Sequence, residues 1–192
     1  MDAKRIDVKV FATADSEVEP AALIPVFHGW IQRGAIQNEL LIDVADYGHV
    51  VEGPGVMLIG HEGQYGYDLT KGRPGLLYSL RRANIDGGYD AALRYALRQA
   101  LSAAALLEQE ESLKGKLVFN AGEVMVRIND RLLAPNEPST WKAVEPGTRA
   151  VLSKVFGDGY SVEPAAQGTP ELFTLQVRAP GATGAAALLA RL

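Results

Sequence analysis

The segment from Tyr89 to Glu111 restricts the fold more than any other. In it Leu93, Ala96, Leu97, Ala100, Leu101 and Ala104 recur at intervals of three and four residues. That spacing puts all six on one side of an α-helix, and the small alanines among them let a second element approach closely. The partner in that approach is expected to be another helix or a sheet. Arg94 and Arg98 interrupt the run. No apolar stretch reaches the roughly 20 residues that cross a bilayer. The opening MDAKRIDVKVF lacks the apolar core of a signal peptide, so no membrane association is expected and the cytoplasm is the expected compartment.

The segments around that helix alternate between strand and helix periods. IDVKVFA places Val8 and Val10 between polar neighbours, which predicts a first strand. In EPAALIPVFHGWIQRG, Leu23, Val26, Phe27, Trp30 and Ile31 fall on one helical face. Pro25 belongs in the first turn of that helix, and Gly34 is the expected stop. His28 stands at the edge of the face, where it reads as a boundary or capping residue. ELLIDVADYGHV predicts a strand with Leu40, Ile42 and Val44 on one side and Asp43, Ala45, Tyr47 and His49 on the other. After the loop VEGPG come a third strand, VMLIGHE, and a hairpin of YGYDLT with GLLYSLRRA around TKGRPG.

Beyond the long helix, KLVFN and EVMVRIN read as a hairpin around AGE, with Val124, Val126 and Ile128 inward. A helix is expected from Pro138, broken or bent at Pro146-Gly147, followed by the strand pair GYSVEP and LFTLQVRA and a terminal helix, GAAALLARL. The expected class is α+β, with helices packed on a mostly antiparallel sheet. Strand, helix, strands and helix occur in residues 6–111 and again in 123–192. The chain is therefore read as a single compact domain of residues 1–192, with two pseudo-repeated βαββ-type, ferredoxin-like halves, 1–113 and 114–192, as its finer reading. No residue-level repeat supports that division.

The 192 residues carry 19 basic and 23 acidic side chains, a formal charge of −4. Phosphate neutralisation calls for a basic face, so no nucleic-acid partner is expected. The absence of cysteine removes disulfides and thiolate chemistry. Walker, dinucleotide and G-x-S-x-G motifs are all missing. LIGHEGQYGYD begins as a zinc-hydrolase H-E-x-x-H motif would, but Tyr65 stands where the second histidine belongs, and Gly60, Gly63 and Gly66 disfavour a helix. As an extended chain it would put Met57, Ile59, His61, Tyr65 and Tyr67 on one side and Glu62, Gln64 and Asp68 on the other.

Two places carry chemistry-bearing residues at some density. Asp43, Asp46, His49, His61 and Glu62 form the candidate ligand-binding group, since imidazole and carboxylate together hold a divalent metal or supply an acid and a base near neutral pH. Against this stands the bland reading of His61 as a hydrogen-bonded histidine beside tyrosines. The second place is DLTKGRPGLLYSLRR, where Lys71 and Arg73 lie in a turn and Arg81 and Arg82 follow. Such a loop holds an anion, but its simpler reading is a charged hairpin tip. Trp141, among polar residues, is either core or a contact for a partner chain. No motif specifies a cofactor, and whether any metal binds is left open. The expected function is that of a binding or interaction module, homodimeric, with a further protein partner as the other option. The alternative is a metal-dependent or acid-base enzyme drawing on the group between Asp43 and Asp68.

Overall fold

A computed structural model describes residues 3–50, 53–82, 85–182 and 184–192. Met1 and Asp2 of the opening segment, Val51 and Glu52 of the VEGPG loop and Ala83 at the end of GLLYSLRRA lie outside the described residues.

Eight strands form one sheet: β1 (Ile6–Ala12), β2 (Leu41–Asp46), β3 (Val56–Gly60), β4 (Gly63–Asp68), β5 (Gly75–Leu80), β6 (Phe119–Ile128), β7 (Ser161–Pro164) and β8 (Thr174–Arg178). Their order is β2-β3-β4-β5-β1-β6-β8-β7, and every neighbouring pair is antiparallel. The first strand thus lies at the centre. The helices are α1 (Leu23–Arg33), α2 (Gly88–Gln109), α3 (Pro138–Phe156) and α4 (Ala185–Leu189). The class is α+β. Among the described residues no helix is long and apolar enough to cross a membrane.

Strand alternation decides which face the helices cover. Ile6, Val8 and Val10 of β1 and Val124, Val126 and Ile128 of β6 are fully buried and join one core with the helices. Helix α2 lies over β1 and β5, with Leu93, Ala96, Leu97, Ala100, Leu101 and Ala104 all fully buried. Helix α1 covers β2. Pro25 falls in its first turn, and Gly34 ends it with a left-handed φ of 58°, which glycine adopts at little cost. The Trp30 indole donates to Glu110 Oε1 at 2.6 Å and Arg33 pairs with the same carboxylate, tying the end of α1 to the end of α2.

Four expectations are corrected. Helix α3 runs unbroken through Pro146. The bond that proline removes is offset where Val144, Thr148, Val151, Leu152 and Val155 pack inward, and Gly147 lets α3 approach Asp90 of α2 so closely that a side chain would collide with its carboxylate. KLVFN and EVMVRIN do not form a hairpin, because AGE continues β6 as one strand; Gly122 lacks a positive φ, and its carbonyl accepts the Ala179 amide at 2.7 Å. In β2 a register shift between Leu41 and Asp43 buries Leu41 and leaves Leu40 and Ile42 exposed, at 69% and 54%. Finally, His61 and Glu62 form a turn between β3 and β4, so parity does not run through LIGHEGQYGYD. Tyr65 pairs with Leu58 on the helix side, while Met57 and Ile59 share the other face with Gly66 and Gln64.

Candidate functional site: a groove on the uncovered sheet face

Among the described residues no helix covers the second face of the sheet. The outward residues of β1 there are Asp7, Lys9 and Phe11, and alternation alone would leave them solvated. Instead Asp7 is 1% and Lys9 2% exposed. Both are central, with neighbouring strands on either side: Asp7 lies between Ser79 and Arg127, and Lys9 between Leu77 and Met125.

Each buried charge has an opposite partner from another strand, as burial demands. Asp7 Oδ2 accepts from Arg127 Nε at 2.8 Å and from its Nη2 at 2.7 Å. Asp7 Oδ1 is buried without a hydrogen-bond partner among the described residues. Lys9 Nζ donates to Asp68 Oδ2 at 2.6 Å and to the Arg73 carbonyl at 2.5 Å. Burial lowers the Lys9 pKa against the opposing pull of Asp68. Burial pushes Asp68 up, but hydrogen bonds from Lys9 and Thr70 outweigh it and hold the carboxyl below its ordinary range. The Arg73 guanidinium stacks 4.0 Å from the centre of the Phe11 ring and pairs with Glu123 at 2.7 Å.

Two adjoining cavities follow this polar stripe, with Asp68 and Arg127 common to both. The larger, about 380 Å³, is bordered by the β4–β5 turn and the β7–β8 loop. Five cations line it (Lys9, Lys71, Arg73, Arg127 and Arg131) against two carboxylates, Asp68 and Glu171. Lys71 reaches Glu171 at 3.0 Å, joining the turn to the loop across the groove. Lys71 holds a φ of 58°, a left-handed conformation uncommon outside glycine. Asn136 steadies the opposite wall, its carbonyl accepting from the Gly168 amide at 2.8 Å and its side-chain amide donating to the Ala166 carbonyl at 3.0 Å. The smaller cavity, about 160 Å³, is lined by Asp7, Gln64, Ser79, Arg81 and Asn129 among others.

The five residues of the sequence-level group lie elsewhere. His61 and Glu62 share the β3–β4 turn, with Nε2 and Oε1 3.7 Å apart. Asp43 accepts the Val44 amide and Asp46 the Gly48 amide, each at 2.8 Å. The His61 amide bonds to the Leu40 carbonyl at one end of β2, while His49 follows the other end. A six-residue strand puts about 17 Å between those ends. Among the described residues no group of three or more His, Asp or Glu side chains is placed to hold a metal ion.

The glycines on either side of the His61–Glu62 turn have a packing role. A Cβ on Gly60 would lie 2.5 Å from Glu39 Oε1, and one on Gly63 would lie 2.5 Å from the Tyr78 hydroxyl oxygen. Glu39 is 8% exposed, accepts the Glu62 amide at 2.8 Å, and has its pKa raised by burial. Beneath it, burial also raises the Tyr65 and Tyr78 pKa values; Tyr65 donates to Gln99 at 3.0 Å.

The turn that looked like a charged hairpin tip is the one bordering the groove, through Lys71 and Arg73, while Arg81 lines the smaller cavity. Sequence reasoning missed Asp7, Lys9 and Arg127. Their signal was the opposite charges standing outward in three apolar strand segments: IDVKVFA, EVMVRIN and YGYD. No protein-family model matches the chain, and no curated protein is detectably similar to it in sequence.

Proposed function

We propose that the protein is a binding module whose ligand is a small anion held in the groove on the uncovered sheet face. The observation that carries this reading is the lining of the larger cavity, in which five cations face two carboxylates. Four of the five are held in place by ion pairs to Asp68, Glu171, Glu123 and Asp7. Arginine offers five donors, so Arg73 and Arg127 keep N–H groups for a ligand beyond those used in their pairs. The test is calorimetric titration with inorganic phosphate and with citrate at low salt. Expected are saturable binding of at least one of them, weakening with added salt, and a loss of roughly tenfold in Arg131→Met. Binding of neither anion would sink the reading.

A second proposal concerns assembly. The sheet ends at β2 and at the four-residue β7, which closes in Pro164. Strand β2 is longer, carries exposed Ile42 with exposed Leu40 just before it, and among the described residues pairs with β3 alone, so its outer edge is open. A second copy of the chain is the proposed occupant, giving a homodimer joined edge to edge. Light scattering tests this. A dimer that becomes monomeric in Ile42→Lys supports it, and a monomeric parent protein refutes it.

A further inference from the structure

Resting on the anion reading, we propose that the smaller cavity is a hydroxyl subsite and that the ligand is a polyhydroxylated anion, such as a sugar phosphate. The observation is Asp7, a lining residue of that cavity: it is 1% exposed and fixed through Oδ2 by Arg127, and its Oδ1 is buried without a partner among the described residues. A buried carboxylate oxygen left unpaired is costly, and a donor from a ligand relieves that cost.

The other polar groups decide what kind of donor fits. Asp7 and Asp68 are balanced by Arg81 and Arg127 on the same lining, and Lys9 lies next to Asp68, so an ammonium group gains no net attraction there. A neutral hydroxyl does better. It donates to Asp7 Oδ1 and accepts from an Arg81 or Gln64 N–H, using both of its capacities. The volume, about 160 Å³, suits part of a small molecule, and the cation-lined cavity adjoins it. Asp7 and Lys9 are two residues apart on one face of β1, a spacing of about 7 Å. That is the scale of a hexose bearing its phosphate at one end.

The experiment compares inorganic phosphate with glucose 6-phosphate by calorimetric titration of the full chain and of Asp7→Asn, which keeps the shape and halves the acceptor capacity. Expected is at least tenfold tighter binding of glucose 6-phosphate than of phosphate. In Asp7→Asn the two affinities should come within twofold of each other, and this ratio is the readout because Asp7 also positions Arg127 of the phosphate site. Equal binding of the two probes overturns the hydroxyl subsite while leaving the anion groove standing. An equal loss for both probes in Asp7→Asn overturns it as well, because Asp7 would then only be positioning Arg127. Binding of neither probe removes the anion reading and this inference together. If Asp7→Asn fails to fold, Gln64→Met on the same lining carries the test, with a smaller loss confined to glucose 6-phosphate.

Discussion

The carboxylate of Glu39 occupies the space that a side chain on Gly60 would need, 2.5 Å from an ideal Cβ at that position. Gly60→Ala must therefore displace Glu39 from the Glu62 amide, at a cost of about 1–3 kcal/mol. Gly159→Ala, with open space around it, is the control. In urea denaturation the double variant Glu39→Ala/Gly60→Ala should lose less than the sum of the two single losses. Strict additivity would mean that the two residues do not compete for this space.

Glu39 also makes stability depend on pH. Its folded pKa is raised by burial, so in that range the folded state holds a proton that the unfolded chain has lost. This contribution is fully present below the ordinary value of 4.5 and disappears as pH rises through the raised folded value. Glu39→Gln keeps an acceptor for the Glu62 amide and has no proton to lose. Its stability relative to the parent should be constant below pH 4.5 and increase above it. A difference independent of pH between 4 and 8, read by urea denaturation, would contradict this.

Asp68→Asn leaves Lys9 buried without its counter-charge, and the expected loss at neutral pH is about 3–5 kcal/mol. The double change Lys9→Met/Asp68→Leu should recover most of it. Because the Asp68 carboxyl is held below its ordinary 3.8, its contribution is present above that value and lost as pH falls toward the lower folded value. Chemical denaturation of the three proteins checks the order. A double variant no better than Asp68→Asn would show that the pair supplies more than charge balance.

Lys71→Gly separates the turn from the charge. Glycine adopts the φ of 58° without strain, and the exposed pair with Glu171 contributes at most about 1 kcal/mol. Stability should change by less than about 1 kcal/mol, while phosphate affinity falls severalfold. A large drop in melting temperature would instead make the Lys71–Glu171 bridge a structural tie.

Much of the helix layer was legible because it depends on local period. The α1 face, its glycine stop and the inward face of α2 all follow from residues within a few turns of one another. What was not legible depends on pairing across the chain. Whether AGE turns or continues was decided by Ala179, and whether Leu40 or Leu41 faces inward was decided by the register against Gly60. Continuity of α3 through Pro146 was decided by its packing beside Asp90. The same holds for the groove. Asp7 and Arg127 are 120 positions apart, and Lys9 and Asp68 are 59 apart. Proximity in sequence gathered histidines and carboxylates between Asp43 and Asp68, but the β2–β3 pairing sends His49 and His61 to opposite ends.

The central position of β1 has a consequence for synthesis on the ribosome. Strands β2 to β5 can all be in place, with β5 against β1, before β6 has been made. For that interval β1 is the bare edge of a five-stranded sheet, open to pairing with the wrong chain. Asp7 and Lys9 put alternating charge along that edge, a recognised guard against aggregation. The two residues that later form the floor of the groove would first serve the nascent chain as its protection.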